Sequence, residues 1–278
     1  MKLRDYQQRS IDLLYDWLKN NDGNPCLVLP TGSGKSHVVA ELCKDALTNW
    51  PETRVLMLTH VKELIQQNAN KMREHWAGAP LGIYSAGLRQ KNLGEPITFA
   101  GIQSIRKRAL DVGHIDLIIV DECHLISHKA EGGYRELIQS LTDINPSIRV
   151  IGLTATPFRL GHGYIDEAGA LFHDRIEPVT IEELIFKGHL CTLRSKKTDT
   201  KLSVAGVHKR GGEYIESELQ RAVDTDDNNT LVVEEVIARG RDCKHWLLFC
   251  AGVDHAEHIA ATLQGSGIAS ACVTGKTP

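Results

Sequence analysis

Leu29-Pro30-Thr31-Gly32-Ser33-Gly34-Lys35-Ser36 constrains this chain more than any other stretch. It lies between a short apolar run, Cys26 to Pro30, and a segment where Val38, Val39, Leu42, Cys43 and Leu47 recur at helical spacing. A strand that ends in a glycine-rich turn and opens directly into a helix makes a phosphate-binding loop. Gly32 and Gly34 let successive backbone N–H groups of the loop, from Thr31 through Ser33, turn toward one point, and the helix N-terminus adds partial positive charge. Lys35 can reach the β- and γ-phosphates of a nucleotide and Ser36 can ligate Mg²⁺.

The rest of the chain supplies the sheet that such a loop needs. β-rich runs occur at 26–30, 54–60, 96–101, 116–122 and 149–156, each ending in turn or cap residues. Between them Val61, Leu64, Ile65, Asn68, Ala69, Met72 and Trp76 fall on one helical face, as do Tyr134, Leu137, Ile138 and Leu141. The alternation predicts an α/β fold, a doubly wound parallel sheet with helices on both faces. After Pro157 the texture changes: Gly161, Gly163 and Gly169 accumulate, and residues 194–210 carry six Lys/Arg against one Asp. Strand-helix-strand texture returns at 246–252, 254–263 and 269–275. The expected organisation is a first domain over 1–160, a connector over 161–240 and the incomplete opening of a second domain over 241–278.

Asp121 and Glu122 close the run DLIIV, at the strand end where open α/β sheets bind ligands. An Asp beside the phosphate loop can hold Mg²⁺ through water, and the adjacent Glu can orient and deprotonate the water that attacks a γ-phosphate. The expected cofactors are therefore ATP and Mg²⁺, with Lys35, Asp121 and Glu122 catalytic and Ser36 and Asp121 on the metal.

Three separated segments then form a pattern. Lys35 in PTGSGKS, DECH at 121–124 and TATP at 154–157 resemble motifs I, II and III of the superfamily 2 helicases, in order and in spacing. Leu29 stands where the strict phosphate-loop pattern has Gly, as in the helicase variant. The resemblance implies a RecA-like first domain, and it implies that His124, Thr154, Ala155 and Thr156 couple nucleotide state to domain closure. LRDYQQ at 3–8 is similar to the adenine-recognition motif, with Gln7 placed for the adenine edge and Arg4 for packing on the base; Gln8 is the competing assignment. LTHVKELIQQ at 58–67 and FAGIQSI at 99–105 resemble motifs Ia and Ib, which grip one nucleic-acid backbone in the family and point to Thr59, Lys62, Gln103 and Ser104. Across most of its length the chain resembles the bacterial RadD-type DNA-repair helicases and their phage relatives. What that implies is ATP-driven strand movement on DNA, single-stranded or branched, with a recombination or repair protein as partner. Motifs V and VI, and with them the arginine finger, have no counterpart before Pro278, so the chain alone is expected to be a weak ATPase. The motor subunit of a restriction enzyme and a non-catalytic ATP- or DNA-binding relative are the alternative readings; the residues themselves do not separate DNA from RNA.

Composition narrows the partners. With 32 Lys+Arg against 35 Asp+Glu the net charge is −3, so a polyanion has to be held by local geometry, not by a global positive field. Small hydroxyls and backbone amides that grip phosphates suit that balance. Seven Cys without a C-x-x-C pair read as free thiols in a reducing, cytoplasmic setting, and the apolar runs are far too short to span a membrane. Cys123, His124 and His128 lack zinc-ligand spacing. The basic cluster of Arg194, Lys196, Lys197, Lys201, Lys209 and Arg210 reads as a solvated connector face, and Asp254, His255 and His258 as a helix start.

Overall fold

The computed structural model describes residues 3–126, 132–159, 163–167, 169–195, 197–210, 213–275 and 277. His128 and Lys196 lie outside them. The chain forms two compact units, Met1–Thr192 and Leu193–Pro278.

The first unit is built on an eight-stranded sheet. Its strands are β1 (Pro25–Val28), β2 (Val55–Thr59), β3 (Leu81–Ser85), β4 (Gln90–Lys91), β5 (Ile97–Gly101), β6 (Leu117–Asp121), β7 (Arg149–Thr154) and, after a small β8–β9 ribbon (Phe158–Arg159 with Gly163–Tyr164), β10 (Asp174–Ile176). The order across the sheet is β10-β1-β7-β6-β2-β5-β3-β4, parallel throughout except where β4 pairs with β3. Among the described residues seven α-helices accompany it: α1 (Asp5–Asn20), α2 (Lys35–Asn49), α3 (Lys62–His75), α4 (Ile102–Ile105), α5 (Ala109–Val112), α6 (Gly133–Ile144) and α7 (Ile181–Phe186).

Two-residue alternation along each strand builds a core on each face. Leu27, Met57, Phe99, Ile119 and Ile151 face Leu14 of α1, Val38 and Leu42 of α2, and Ile65 and Met72 of α3. Val28, Leu56, Leu58, Ile118 and Val120 face Ile102 and Ile105 of α4 and Leu137, Ile138 and Leu141 of α6. Because a strand covered on both sides is apolar at every position, the central strands read as continuous hydrophobic runs. This is the doubly wound α/β arrangement expected of the sequence. Parallel strands share one C-terminal edge, and the loops after β1, β2, β6 and β7 all leave there.

β10 comes from the stretch read as connector. Its three residues extend the sheet beside β1, Cys26 opposite Arg175 and Leu27 opposite Ile176.

The second unit contains a β11–β12 ribbon (Lys209–Arg210 with Glu213–Tyr214) and the helices α8 (Glu216–Val223), α9 (Asp226–Gly240) and α10 (Val253–Gly265). Val233, Ile259 and Leu263 form its small core, joined by Trp246, Leu248 and Ile268. Residues 246–252 and 269–275, expected as strands, carry no strand pairing among the described residues. A strand needs a neighbour to satisfy its backbone, and neither run finds one. Leu247, Phe249 and Val273 are 79%, 91% and 78% exposed.

Candidate nucleotide site

Between β1 and α2 the chain turns through Gly32 and Gly34, at φ 81° and 84°, the left-handed region that glycine tolerates. Side chains are excluded by space as well. A Cβ on Gly32 would stand 2.8 Å from Cδ2 of Leu190, and one on Gly34 would stand 2.6 Å from the Gln7 amide nitrogen and 3.1 Å from Cδ2 of His37. The hydroxyl of Ser33 is buried without a partner among the described residues.

Helix α1 holds this loop by one atom. The Ser33 carbonyl accepts from the Tyr6 hydroxyl at 2.7 Å and from Nε2 of Gln7 at 2.9 Å. Arg4 braces both: its Nη1 donates to the Tyr6 hydroxyl at 3.2 Å and its backbone N–H to Oε1 of Gln7 at 3.0 Å. Gln7 is buried and lines a cavity of about 160 Å³ beside the loop, with Arg4, His37 and His75. Its second amide hydrogen and second lone pair are what an adenine edge requires. Gln8 is exposed and donates to Asp12 instead, so of the two glutamines only Gln7 is brought to the loop.

A larger cavity, about 430 Å³, opens over the loop, and Thr31, Ser36, Lys35, Asp121, Glu122 and Asn68 are on its wall. That volume falls in the range of small-molecule sites. Nζ of Lys35 lies 3.1 Å from Oε1 of Glu122. Asp121 is oriented twice: Nδ2 of Asn68 donates to Oδ2 at 2.8 Å, and the Glu122 backbone N–H donates to Oδ1 at 3.0 Å. Glu122 adopts φ 49°, ψ 47°, a left-handed conformation rare for a residue with a Cβ.

From Glu122 a polar chain runs to the end of β7. Oε2 of Glu122 lies 3.4 Å from Nδ1 of His124, which lies 2.8 Å from Oγ1 of Thr154 and 3.5 Å from Oγ1 of Thr156. Thr154 donates its hydroxyl to the Thr156 carbonyl at 3.1 Å and accepts the Thr156 N–H at 3.0 Å across Ala155. With its own hydrogen committed, Oγ1 of Thr154 is an acceptor toward His124, so His124 carries a proton on Nδ1. Cys123, between them, is a core thiol: burial, then its contact with Cys26 at 3.4 Å, pushes it up. No cluster of three His, Cys, Asp or Glu suited to a metal occurs among the described residues.

The residues read as backbone-gripping lie along the same sheet edge, at β2 and β5. Thr59 ends β2 opposite Gly101 and is buried, its hydroxyl unpartnered among the described residues. Lys62 opens α3, exposed, 3.4 Å from Glu63. Ser104 accepts from the Ala86 N–H at 3.0 Å. Gln103, on α4, is exposed and lines a cavity of about 150 Å³ with His60, Arg106 and Arg135.

Sequence reasoning missed several participants. Tyr6, Asn68 and Lys71 reach the loop or its cavity through packing of α1 and α3, and only the helical register of Leu64, Asn68 and Met72 hints at which face α3 presents. His37 and His75 were also missed. Burial first, then the charges of His75, Lys71 and Arg4, hold His37 below the ordinary imidazole range.

Residues 1–159 match the family model described as "Type III restriction enzyme, res subunit". The chain belongs to that family. Proteins named as helicases and as a restriction-enzyme subunit are similar to it over most of its length. A 51.5 kDa protein of a Lactococcus phage is 29% identical over 253 residues, covering 90% of this chain and 48% of that protein. An EcoAI type I restriction enzyme endonuclease subunit of Escherichia coli is 22% identical, over 94% of this chain and 34% of its own length. The putative ATP-dependent helicase IRC3 of Saccharomyces cerevisiae is 23% identical, over 99% of this chain and 41% of its own length. The chain thus spans about a third to a half of the length of these relatives. The fold is shared with the T4 UvsW crystal structure, at TM-score 0.51 and 18% identity over 95% of this chain and 50% of that one. The Pyrococcus furiosus Hef helicase domain gives the same score and identity, over 95% and 53%.

Proposed function

We propose that this chain binds Mg·ATP through its first unit and hydrolyses it to drive movement along DNA, in a repair or recombination setting of the RadD type. The observation that carries the reading is the continuous polar path Lys35–Glu122–His124–Thr154. It joins the phosphate loop to the strand end that would report nucleotide state. The residues fit the ligands: a glycine cradle for phosphates, Gln7 and Arg4 for adenine, Ser36 and Asp121 for Mg²⁺. When bound, Mg²⁺ neutralises charge on the β- and γ-phosphates. Lys35 holds the γ-phosphate, Glu122 takes the proton of the attacking water, and Asn68 keeps Asp121 aimed. Thr59, Lys62, Gln103 and Ser104 would grip phosphates of one DNA strand without reading bases.

In this reading 1–160 is the first RecA-like domain, 161–240 the connector and 241–278 the opening of a second, and the protein works in the cytoplasm beside a repair or recombination partner. No helix among the described residues is long and apolar enough to cross a membrane. A restriction-enzyme motor is the second reading, favoured by the family description and by the EcoAI relative. Calorimetry with Mg·ATP, followed by ATPase rates with single-stranded DNA, duplex DNA and RNA, tests the proposal. Binding that Lys35→Ala abolishes and turnover stimulated by DNA are expected; a folded protein that binds no nucleotide overturns it.

A further inference from the structure

A second group of polar side chains adjoins the phosphate loop and belongs to none of the motifs. Oε2 of Glu41 lies 3.0 Å from Nε2 of His75, and Nδ1 of His75 lies 3.4 Å from Nδ1 of His37. Both imidazoles line the 160 Å³ cavity with Arg4 and Gln7. The His75 side chain is only 2% exposed, and the two rings sit 5.4 Å apart at 53°. His37 and Glu41 are one turn apart on α2, and His75 ends α3, so the packing of the two helices sets the line.

With neutral imidazoles the direction of every bond follows from the carboxylate outward. Glu41 can only accept, so His75 carries its proton on Nε2 and leaves Nδ1 as an acceptor. His37 then donates from Nδ1, and its Nε2 is left as a lone pair. The Cδ2 edge of His37, next to that nitrogen, lies against Gly34.

We propose that His37 reads the nucleoside: its Nε2 accepts a hydrogen bond from a donor on the bound nucleotide, a ribose hydroxyl or the exocyclic amine of adenine, while His75 and Glu41 are positioning residues that hold that lone pair. The inference rests on the nucleotide site proposed above and deepens it. Backbone amides of the loop recognise phosphate alone and are blind to sugar and base. Selectivity among triphosphates therefore has to come from this adjoining cavity, where an acceptor that the ligand covers and leaves unmatched penalises a ligand lacking the donor.

The test measures affinities of this chain for the Mg²⁺ complexes of ATP, 2′-deoxyATP, 3′-deoxyATP and purine riboside triphosphate, which lacks the amine. Wild type is expected to favour ATP by about 3- to 10-fold over the analogue without the donor that His37 reads. His37→Ala should lower that one preference, in full for a ribose hydroxyl and in part for the amine that Gln7 also faces, and leave the others; which analogue it is identifies sugar or base. Glu41→Leu should blunt the same preference, and Glu41→Gln, which keeps an acceptor for His75, should restore it. Independently of any nucleotide, long-range ¹H–¹⁵N spectra should show the His37 proton on Nδ1. A proton on Nε2, or His37→Ala weakening all four nucleotides alike or none, overturns the proposal. If Mg·ATP binds in a Lys35-dependent way and the preferences survive His37→Ala, only the His37 assignment falls. If none of the four binds wild type, the nucleotide site falls and His37 with it.

Discussion

The ammonium of Lys35 lies 3.1 Å from one oxygen of the Glu122 carboxylate, whose other oxygen is 3.4 Å from His124. The cation that would hold a γ-phosphate and the anion that would activate water are paired with each other, and an arriving phosphate competes with Glu122 for Lys35. Glu122→Gln removes the base and weakens the competition, because the amide oxygen still accepts from Lys35 but carries no charge. It is expected to keep or tighten Mg·ATP binding while hydrolysis falls by about 10²-fold or more. Single-turnover hydrolysis and calorimetry on the same preparation check this; parallel loss of both would mean that Glu122 shapes the site and does no chemistry there.

Asn68→Ala removes the 2.8 Å hydrogen bond that aims Asp121. Groups that orient metal-bound carboxylates typically contribute about 10- to 100-fold in metal affinity. The expected outcome is a higher Mg²⁺ requirement at saturating ATP with little change in melting temperature, read by Mg²⁺ titration of turnover. An unchanged Mg²⁺ midpoint would count against Asp121 as the metal-side carboxylate.

Tyr6→Phe leaves the Ser33 carbonyl with Gln7 alone and strips Arg4 of its hydroxyl partner. A lost buried hydrogen bond contributes about 1 kcal/mol, which for a unit of this size is roughly 2–4 °C in melting temperature. Mg·ATP affinity should weaken beyond what stability alone explains, because the loop is held through that carbonyl. Thermal melts with and without nucleotide separate the two effects.

In the second unit Nδ1 of His258 lies 3.0 Å from both oxygens of Asp224. The hydrogen bond to Asp224, then its charge, raises His258 above 6.5. Burial pushes Asp224 up, but hydrogen bonds from Asn229 and His258 outweigh it and leave the carboxyl below 3.8. The His258 contribution is complete below its unfolded value and is lost as pH rises through the folded one. The Asp224 contribution is complete above its unfolded value and is lost as pH falls through the folded one. Hydrogen exchange in α10, corrected for intrinsic rates, should therefore speed up as pH rises above 6.5 in wild type and not in His258→Gln. Parallel pH profiles would remove the pair from the account of stability.

The sheet was legible because burial on both faces writes each central strand as a continuous apolar run, and the phosphate loop because its turn, helix start and lysine are contiguous. β10 was not: Asp174-Arg175-Ile176 has no strand signature and is held beside β1 by pairing and by burial of Ile176 in the core. The runs at 246–252 and 269–275 have strand composition without partners among the described residues, so composition overstated them. At the site, Lys35, Glu122 and His124 could be read from their motifs. Asn68 against Asp121, 53 residues apart, and Tyr6 against Ser33, 27 apart, depend on how helices pack, which leaves no local trace.

Glu122 sits at φ 49° with a full side chain, a conformation costing an ordinary residue roughly 1 kcal/mol that Gly or Asn would largely avoid. Selection for thermal robustness alone would then drift away from glutamate at this position and, if Glu122 is the base, discard turnover in doing so. A stability-ranked library of this chain should show Glu122→Gly and Glu122→Asn enriched among melting-temperature winners and absent among variants that retain ATPase turnover.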